Sequence, residues 1–281
     1  MRHQTDSLAL QAEALRRRAE GQRIGFVPTM GYLHSGHTSL MDIARSRCDW
    51  LVVSIFVNPL QFGPGEDLDR YPQDPEGDAA KCAEAGVDML FMPPTFYPPD
   101  HSTSVTVSGL TEGFCGASRP NFFGGITTVV SRLFGIVQPT VTVFGEKDFQ
   151  QLAVIRRMVR DLAMPIEVIG GPLVRDPDGL AMSSRNRYLT PERRQRALSL
   201  SGALRGMQAA LDAAEGEVSA EALIAVGREI LDYDEFDYLE VVDPETLRPM
   251  VTVDRPARAL VGGYIGGTRL IDNMALVPRK G

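Results

Sequence analysis

The chain reads as an α/β protein: a mostly parallel sheet covered by helices on both faces, followed by a smaller α+β domain. Three observations lead there. Short apolar runs alternate with segments of helical period as far as Gly171. The runs are continuously apolar, as in 51–57 (Leu51, Val52, Val53, Ser54, Ile55, Phe56, Val57), which suits strands buried on both faces. Beyond Gly171 the alternation stops, and long helical patterns precede two or three strands. The expected domains are residues 1–174 and 175–281, a division that suits a chain of 281 residues.

The elements follow in order. Residues 1–23 carry Leu8, Leu10 and Leu15 among arginines and lack the apolar core of a leader, so a surface helix is expected. Strands are expected at 23–29 and 51–57, with a helix from about Gly36 to Arg47 between them. A helical pattern near 74–85 precedes a strand at 87–91, and Pro93, Pro94, Pro98 and Pro99 stiffen the loop that follows. Residues 126–137 read as helix, 140–144 as strand and 148–162 as a strongly periodic helix. Strand–helix–strand repetition implies parallel strands, whose carboxyl ends form the ligand edge. In the second part, Thr190 is an N-cap with Pro191 at the first helical position, Gly216 breaks that helix, and another starts after Ser219. Strands are expected at 236–242, 257–264 and from Arg269 onward.

Composition narrows the function classes. Hydrophobic residues make up 43% and charged residues 23%, ordinary for a globular protein. A net charge of −7 speaks against a non-specific nucleic-acid or membrane surface. Cys48, Cys82 and Cys115 are widely spaced without a C-x-x-C pair, which suits reduced thiols in the cytoplasm. No apolar stretch reaches the roughly 18 residues of a membrane span.

Four constellations carry chemistry. In Met30, Gly31, Tyr32, Leu33, His34, Ser35, Gly36 and His37, a strand ends, a glycine-marked turn carries two imidazoles, and a helix begins. Orphan N–H groups and the dipole at such a helix start favour an anion, and two glycines allow close backbone approach, so a phosphate site is expected. Capping histidines and a zinc pair are the competing readings; the spacing is not that of His-Glu-x-x-His, and no further ligand cluster is visible. Next, a strand ends in Asn58 and Gln61, amides suited to hydroxyls and a carboxylate, although Asn58-Pro59 also suits a turn. Third, Gly145, Glu146, Lys147 and Asp148 lead into a helix carrying Gln151; Lys147 suits phosphate and Asp148 a ribose hydroxyl, or alternatively an N-cap. Fourth, Met182, Ser183, Ser184 and Arg185 place two hydroxyls and a guanidinium fork in four residues, a phosphate clamp or an ordinary polar loop.

The spelling His-x-Gly-His at 34–37 is that of the nucleotidylyltransferase superfamily. Together with Phe56-Val-Asn-Pro-x-Gln-Phe62, Gly145-Glu-Lys-Asp-Phe-Gln-Gln-Leu152, Asp178-Gly-Leu-Ala-Met-Ser-Ser-Arg-Asn186 and Arg269-Leu-Ile-Asp-Asn273, the chain resembles the pantoate–β-alanine ligases (pantothenate synthetases) over essentially its whole length. That resemblance implies a Rossmann-like N-terminal domain, a C-terminal lid, a homodimer, and ATP with Mg²⁺. It implies attack of pantoate on the α-phosphate to give pantoyl adenylate and pyrophosphate, then attack by β-alanine with release of AMP. It places residues 30–37 along ATP, with His37 the acid that stabilises pyrophosphate and His34 sharing the phosphates. Gln61 and Gln151 hold pantoate, Gly145 and Asp148 adenosine, Lys147 the phosphates, and Val174 the adenine through its backbone. Residues 182–185 close over the nucleotide, and Asn58 contacts reacting groups. One departure stands out: Phe122 occupies a position that is usually histidine in the family. The alternatives are a nucleotidylyltransferase with another small acceptor, which should need more positive charge there, and a regulator that binds nucleotide without turning it over.

Overall fold

The computed structural model describes residues 1–279, which form two compact units. One comprises Met1–Glu112, Arg119–Glu146 and Gln151–Pro172; the other comprises Gly113–Ser118, Lys147–Gln150 and the chain from Leu173 onward.

The first unit is built on six parallel strands: β1 (Arg2–Gln4), β2 (Ile24–Thr29), β3 (Trp50–Ile55), β4 (Met89–Phe91), β5 (Val141–Gly145) and β6 (Glu167–Gly171). Their spatial order is β1-β4-β3-β2-β5-β6. From β2 the chain winds one way through β3 to β4, then returns to place β5 on the other side of β2. The sheet therefore has its switch point between β2 and β5, where helices leave opposite faces and a crevice opens at the carboxyl ends. Both the turn after β2 and the turn after β5 lie at that edge.

Five helices accompany the strands: α1 (Ser7–Ala19), α2 (Ser35–Arg45), α3 (Pro75–Glu84), α5 (Phe122–Val137) and α6 (Phe149–Asp161), while α4 (Cys115–Ser118) is one turn belonging to the second unit. β3 is buried along Trp50–Ser54, as its unbroken apolar run requires. Leu40, Met41 and Ala44 of α2 pack with Val27, Val53, Leu90 and Val143 in one cluster. α5 is buried on most of its circumference, with Phe134 meeting Phe26 edge-on at 6.3 Å.

The first strand and the last of this sheet are absent from the sequence reading. β1 is three polar residues, Arg2, His3 and Gln4, at a sheet edge where alternation has no room to appear. β6 contains only Val168 and Ile169 as apolar residues and is defined by pairing with β5, Val141 opposite Glu167. α5 starts at Phe122, four residues before the expected 126, because two consecutive glycines, Gly124 and Gly125, obscure its period.

In the second unit, α7 (Pro191–Ala213) carries the expected cap Thr190, and α8 (Ala220–Ile230) is capped by Ser219. They pack on an antiparallel sheet of β7 (Glu235–Val242), β8 (Ala257–Ile265) and β9 (Thr268–Leu276). Leu200, Leu204, Met207, Leu223, Leu239, Val261 and Leu276 form its core. The short α4 is fixed there by polar contacts: Cys115 Sγ lies 3.3 Å from the Tyr238 hydroxyl, and Gln150 bridges Cys115 N and Gly113 O at 3.1 and 2.8 Å. No helix among the described residues is long and apolar enough to cross a membrane.

Candidate active site

The turn after β2 is held by its neighbours on every side. Thr29 Oγ1 donates to Ser54 O of β3 at 2.8 Å and accepts from Gly31 N at 3.3 Å. Gly31 has φ +88°, and a Cβ there would come within 3.0 Å of both Asp78 Oδ2 and Ile55 Cγ2. Tyr32 also lies in the left-handed region, at φ +52°. Asp78 of α3 explains how that conformation is kept: its carboxylate accepts from Tyr32 N and Leu33 N, both at 2.7 Å. Asp78 is 1% exposed. Sequence reasoning missed it because an acid in the first turn of a helix, after Asp74 and Pro75, looks like an ordinary complement to the dipole.

The capping and phosphate readings of the histidines turn out to be compatible. His34 is the N-cap of α2, its Nδ1 accepting from Gly36 N at 3.1 Å. His37 reaches back so that its Nδ1 accepts from His34 N at 3.3 Å. Their rings lie 4.1 Å apart. With each Nδ1 committed to a backbone N–H, Nε2 is the nitrogen that carries the proton. The reciprocal cap thus fixes both imidazoles beside a helix N-terminus, at the carboxyl end of β2 and next to the switch point.

Asn58 and Gln61 come together in the 3₁₀ turn Pro59–Gln61 after β3. Asn58 Nδ2 donates to Gln61 Oε1 at 3.1 Å and to Gly125 O at 3.1 Å; its Oδ1 accepts from Tyr97 and from Leu60 N. Asn58 is 1% exposed, so its amide is spent inside the protein. Close approach of α5 makes this possible: a Cβ at Gly125 would lie 2.2 Å from Leu60 O. Gln61 Nε2 lies 3.0 Å from Met30 Sδ, which links this amide to the turn after β2.

Arg119 clasps the same segment. Its Nη2 donates to Gln61 O at 3.1 Å and its Nε to Glu66 at 2.8 Å. Phe122 lies under that guanidinium, 3.5 Å from the ring centroid. Phe122 therefore supports the arginine with its face.

At the carboxyl end of β5, Gly145 ends the strand and Glu146–Asp148 forms a 3₁₀ turn into α6, where Gln151 is third and half-buried. Its neighbour Gln150, 5% exposed, is the structural one of the pair. Lys147 Nζ lies 3.8 Å from Asp148 Oδ1, and Lys147 O accepts from Asn273 Nδ2 at 2.8 Å.

Within the second unit, Val174 and the Met182–Arg185 loop meet as the two limbs of one turn. Met182 N donates to Val174 O at 3.0 Å and Asp176 N to Leu180 O at 2.8 Å. Arg175 grips the nearly buried Asp272 with two nitrogens, at 2.6 and 2.9 Å. Arg194 ties Asp176 and Asp178 to α7 and holds the Asp178 carboxyl below its usual range. Ser183 caps the turn Ser184–Tyr188, accepting from Arg185 N at 3.3 Å.

Comparison with known proteins identifies the family. A family model described as pantoate–β-alanine ligase matches residues 2–275. A pantothenate synthetase of Desulfatibacillum aliphaticivorans is 52% identical over 277 residues, 97% of each chain. One of Pseudomonas entomophila is 54% identical over 273 residues, 95% of this chain and 94% of its own. The crystal structure of the Thermus thermophilus pantothenate synthetase superposes with a TM-score of 0.92 at 49% identity, covering 99% of this chain and 100% of that one. A Francisella tularensis pantoate–β-alanine ligase, complexed with β-γ ATP and β-alanine, gives a TM-score of 0.79 at 31% identity, covering 100% and 99%. The chain belongs to the pantoate–β-alanine ligase family.

Proposed function

We propose that this chain performs its family's ATP-dependent condensation of pantoate with β-alanine through a pantoyl adenylate. A pantoate carboxylate oxygen attacks the α-phosphorus, the bond to the β-phosphate breaks, and pyrophosphate leaves. The β-alanine amine then attacks the acyl carbon, loses a proton, and expels AMP, which keeps the attacking oxygen of pantoate. Neither step calls for a nucleophile from the protein, so its part is positioning and charge stabilisation.

The observation that carries this reading is the reciprocal capping of His34 and His37, which fixes both imidazoles at the N-terminus of α2, where a phosphate is favoured. His37 meets the leaving pyrophosphate and His34 shares the phosphates. Met30, Gly31, Tyr32, Leu33, Ser35 and Gly36 line ATP, and Gly145, Glu146, Asp148 and the backbone of Val174 take its adenosine. Met182 to Arg185 close over the nucleotide, and Lys147, Ser183, Ser184 and Arg185 serve the phosphates. Gln61 and Gln151 hold pantoate, and Asn58 acts by positioning Gln61, because its own amide is fully engaged.

The described residues gather no group of three or more His, Cys, Asp and Glu side chains fit for a metal ion. Mg²⁺, which the family resemblance implies, would be held mainly by phosphate oxygens and water and would neutralise charge on the nucleotide. A cytoplasmic homodimer completes the reading, supported by the family resemblance and by the reduced-thiol pattern of Cys48, Cys82 and Cys115.

Isotope transfer tests the chemistry. With carboxyl-¹⁸O pantoate, label should enter AMP and be absent from pyrophosphate. Label in an inorganic phosphate product instead would show attack at another phosphorus and end the adenylate reading.

A further inference from the structure

An amide side chain can present either its donor or its acceptor end, and the structure determines which end Gln61 offers. Two backbone groups orient Asn58 without ambiguity. Gly125 O can only accept, so Nδ2 faces it at 3.1 Å; Leu60 N can only donate, so Oδ1 faces it at 3.4 Å. That orientation makes Asn58 a donor toward Gln61 Oε1 and turns the Nε2 end of Gln61 toward the turn after β2. There one of its two N–H bonds meets Met30 Sδ at 3.0 Å, and the second is the one a ligand would take. The Leu60 bond is long, and the stronger hold on Oδ1 comes from the Tyr97 hydroxyl at 2.9 Å.

Tyr97 comes from the proline-rich loop after β4, remote in sequence from the turn it serves. Its ring is set by Phe96 at 5.2 Å, His101 at 4.6 Å and Phe56 at 6.2 Å. Burial pushes its phenol up to about 12, so the hydroxyl remains a donor throughout the physiological range.

We propose that Tyr97 is a positioning residue for recognition of the acid substrate: its hydroxyl fixes Asn58, and Asn58 turns the donor end of Gln61 toward pantoate. The donor end suits a carboxylate or a hydroxyl oxygen, whereas the acceptor end would repel the carboxylate. The proposal rests on the assignment of Gln61 to pantoate made above.

Steady-state kinetics of Tyr97→Phe, Gln61→Ala, Gln61→Glu and the double variant Tyr97→Phe/Gln61→Ala test it. Tyr97→Phe keeps the ring and should raise the KM for pantoate about tenfold, the size of one lost hydrogen bond, with the KM for ATP and the melting temperature nearly unchanged. Gln61→Glu removes the donor at constant shape and should raise the pantoate KM by at least as much. In the Gln61→Ala background, Tyr97→Phe should add nothing. An unchanged pantoate KM in Gln61→Ala would show that the assignment of Gln61 is wrong. A raised value in Gln61→Ala with no change in Tyr97→Phe would overturn the relay alone. Equal rises in both KM values, or additive effects in the double variant, would reduce Tyr97 to packing. Should Tyr97→Phe not fold, a normal pantoate KM in Gln61→Glu would still refute the orientation.

Discussion

Asp78→Ala tests whether the turn bearing the histidines is held from α3. Asp78 is 1% exposed and accepts from Tyr32 N and Leu33 N, each at 2.7 Å. Alanine would leave both N–H groups without that acceptor. Each unsatisfied buried group costs about 1–3 kcal/mol, so a loss of roughly 2–6 kcal/mol is expected for the pair, less whatever water recovers by entering the space. The same bonds hold Tyr32 in the left-handed region, and relaxing that residue shifts the start of α2 and both imidazoles. Urea unfolding should show a lower midpoint with little change in slope, and adenylation should slow even well below the unfolding transition. Asp78→Asn should fall between wild type and alanine, since one amide oxygen still accepts while the NH₂ group faces a donor. Alanine stability within about 0.5 kcal/mol of wild type, the ordinary range for surface changes, together with normal adenylation, would refute this account of the turn.

Other expectations concern single groups. His37→Ala should slow adenylation by roughly 10²–10³-fold, as for other lost transition-state donors, and near-normal turnover would remove His37 from the mechanism. Gln151→Ala should raise the KM for pantoate and leave ATP binding intact; weakened ATP binding in a titration would contradict its assignment. Asp272→Ala removes the carboxylate from Arg175, which keeps Gly179 O at 3.0 Å, and should destabilise by roughly 1–3 kcal/mol in thermal or urea unfolding. Burial pushes the Cys82 thiol up to about 12, so native protein at pH 8 should resist thiol reagents there until it unfolds. The folded value lies above the unfolded one, so this contribution to stability is full below about 9 and is lost as pH rises toward 12. Fast labelling of Cys82 in the folded protein would show that burial wrong.

The sequence carries the fold where burial leaves a periodic trace. β3 is apolar except at Ser54 because both its faces are covered, and Thr190 with Pro191 marks the start of α7. β1 leaves no such trace, since a polar edge strand exists only through its pairing with β4. Ligand-edge residues were legible because their types are unusual at strand ends: two imidazoles after β2, amides after β3, and Gly145 with Lys147 after β5. The groups that orient them were not legible. Asp78 looks like a helix-start acid and Tyr97 like loop filler, and each acquires its role through a bond to a residue dozens of positions away. The capping of the histidines likewise needs coordinates, because it depends on which ring nitrogen faces the backbone.

The central claim is that pantoate and ATP form an adenylate before any amine is present. ATP–pyrophosphate exchange with Mg²⁺ and without β-alanine tests it most directly. Exchange that requires pantoate is the expected result. No exchange with pantoate, from an enzyme that binds ATP and makes pantothenate when β-alanine is added, would contradict the account and require the amine to act before pyrophosphate leaves.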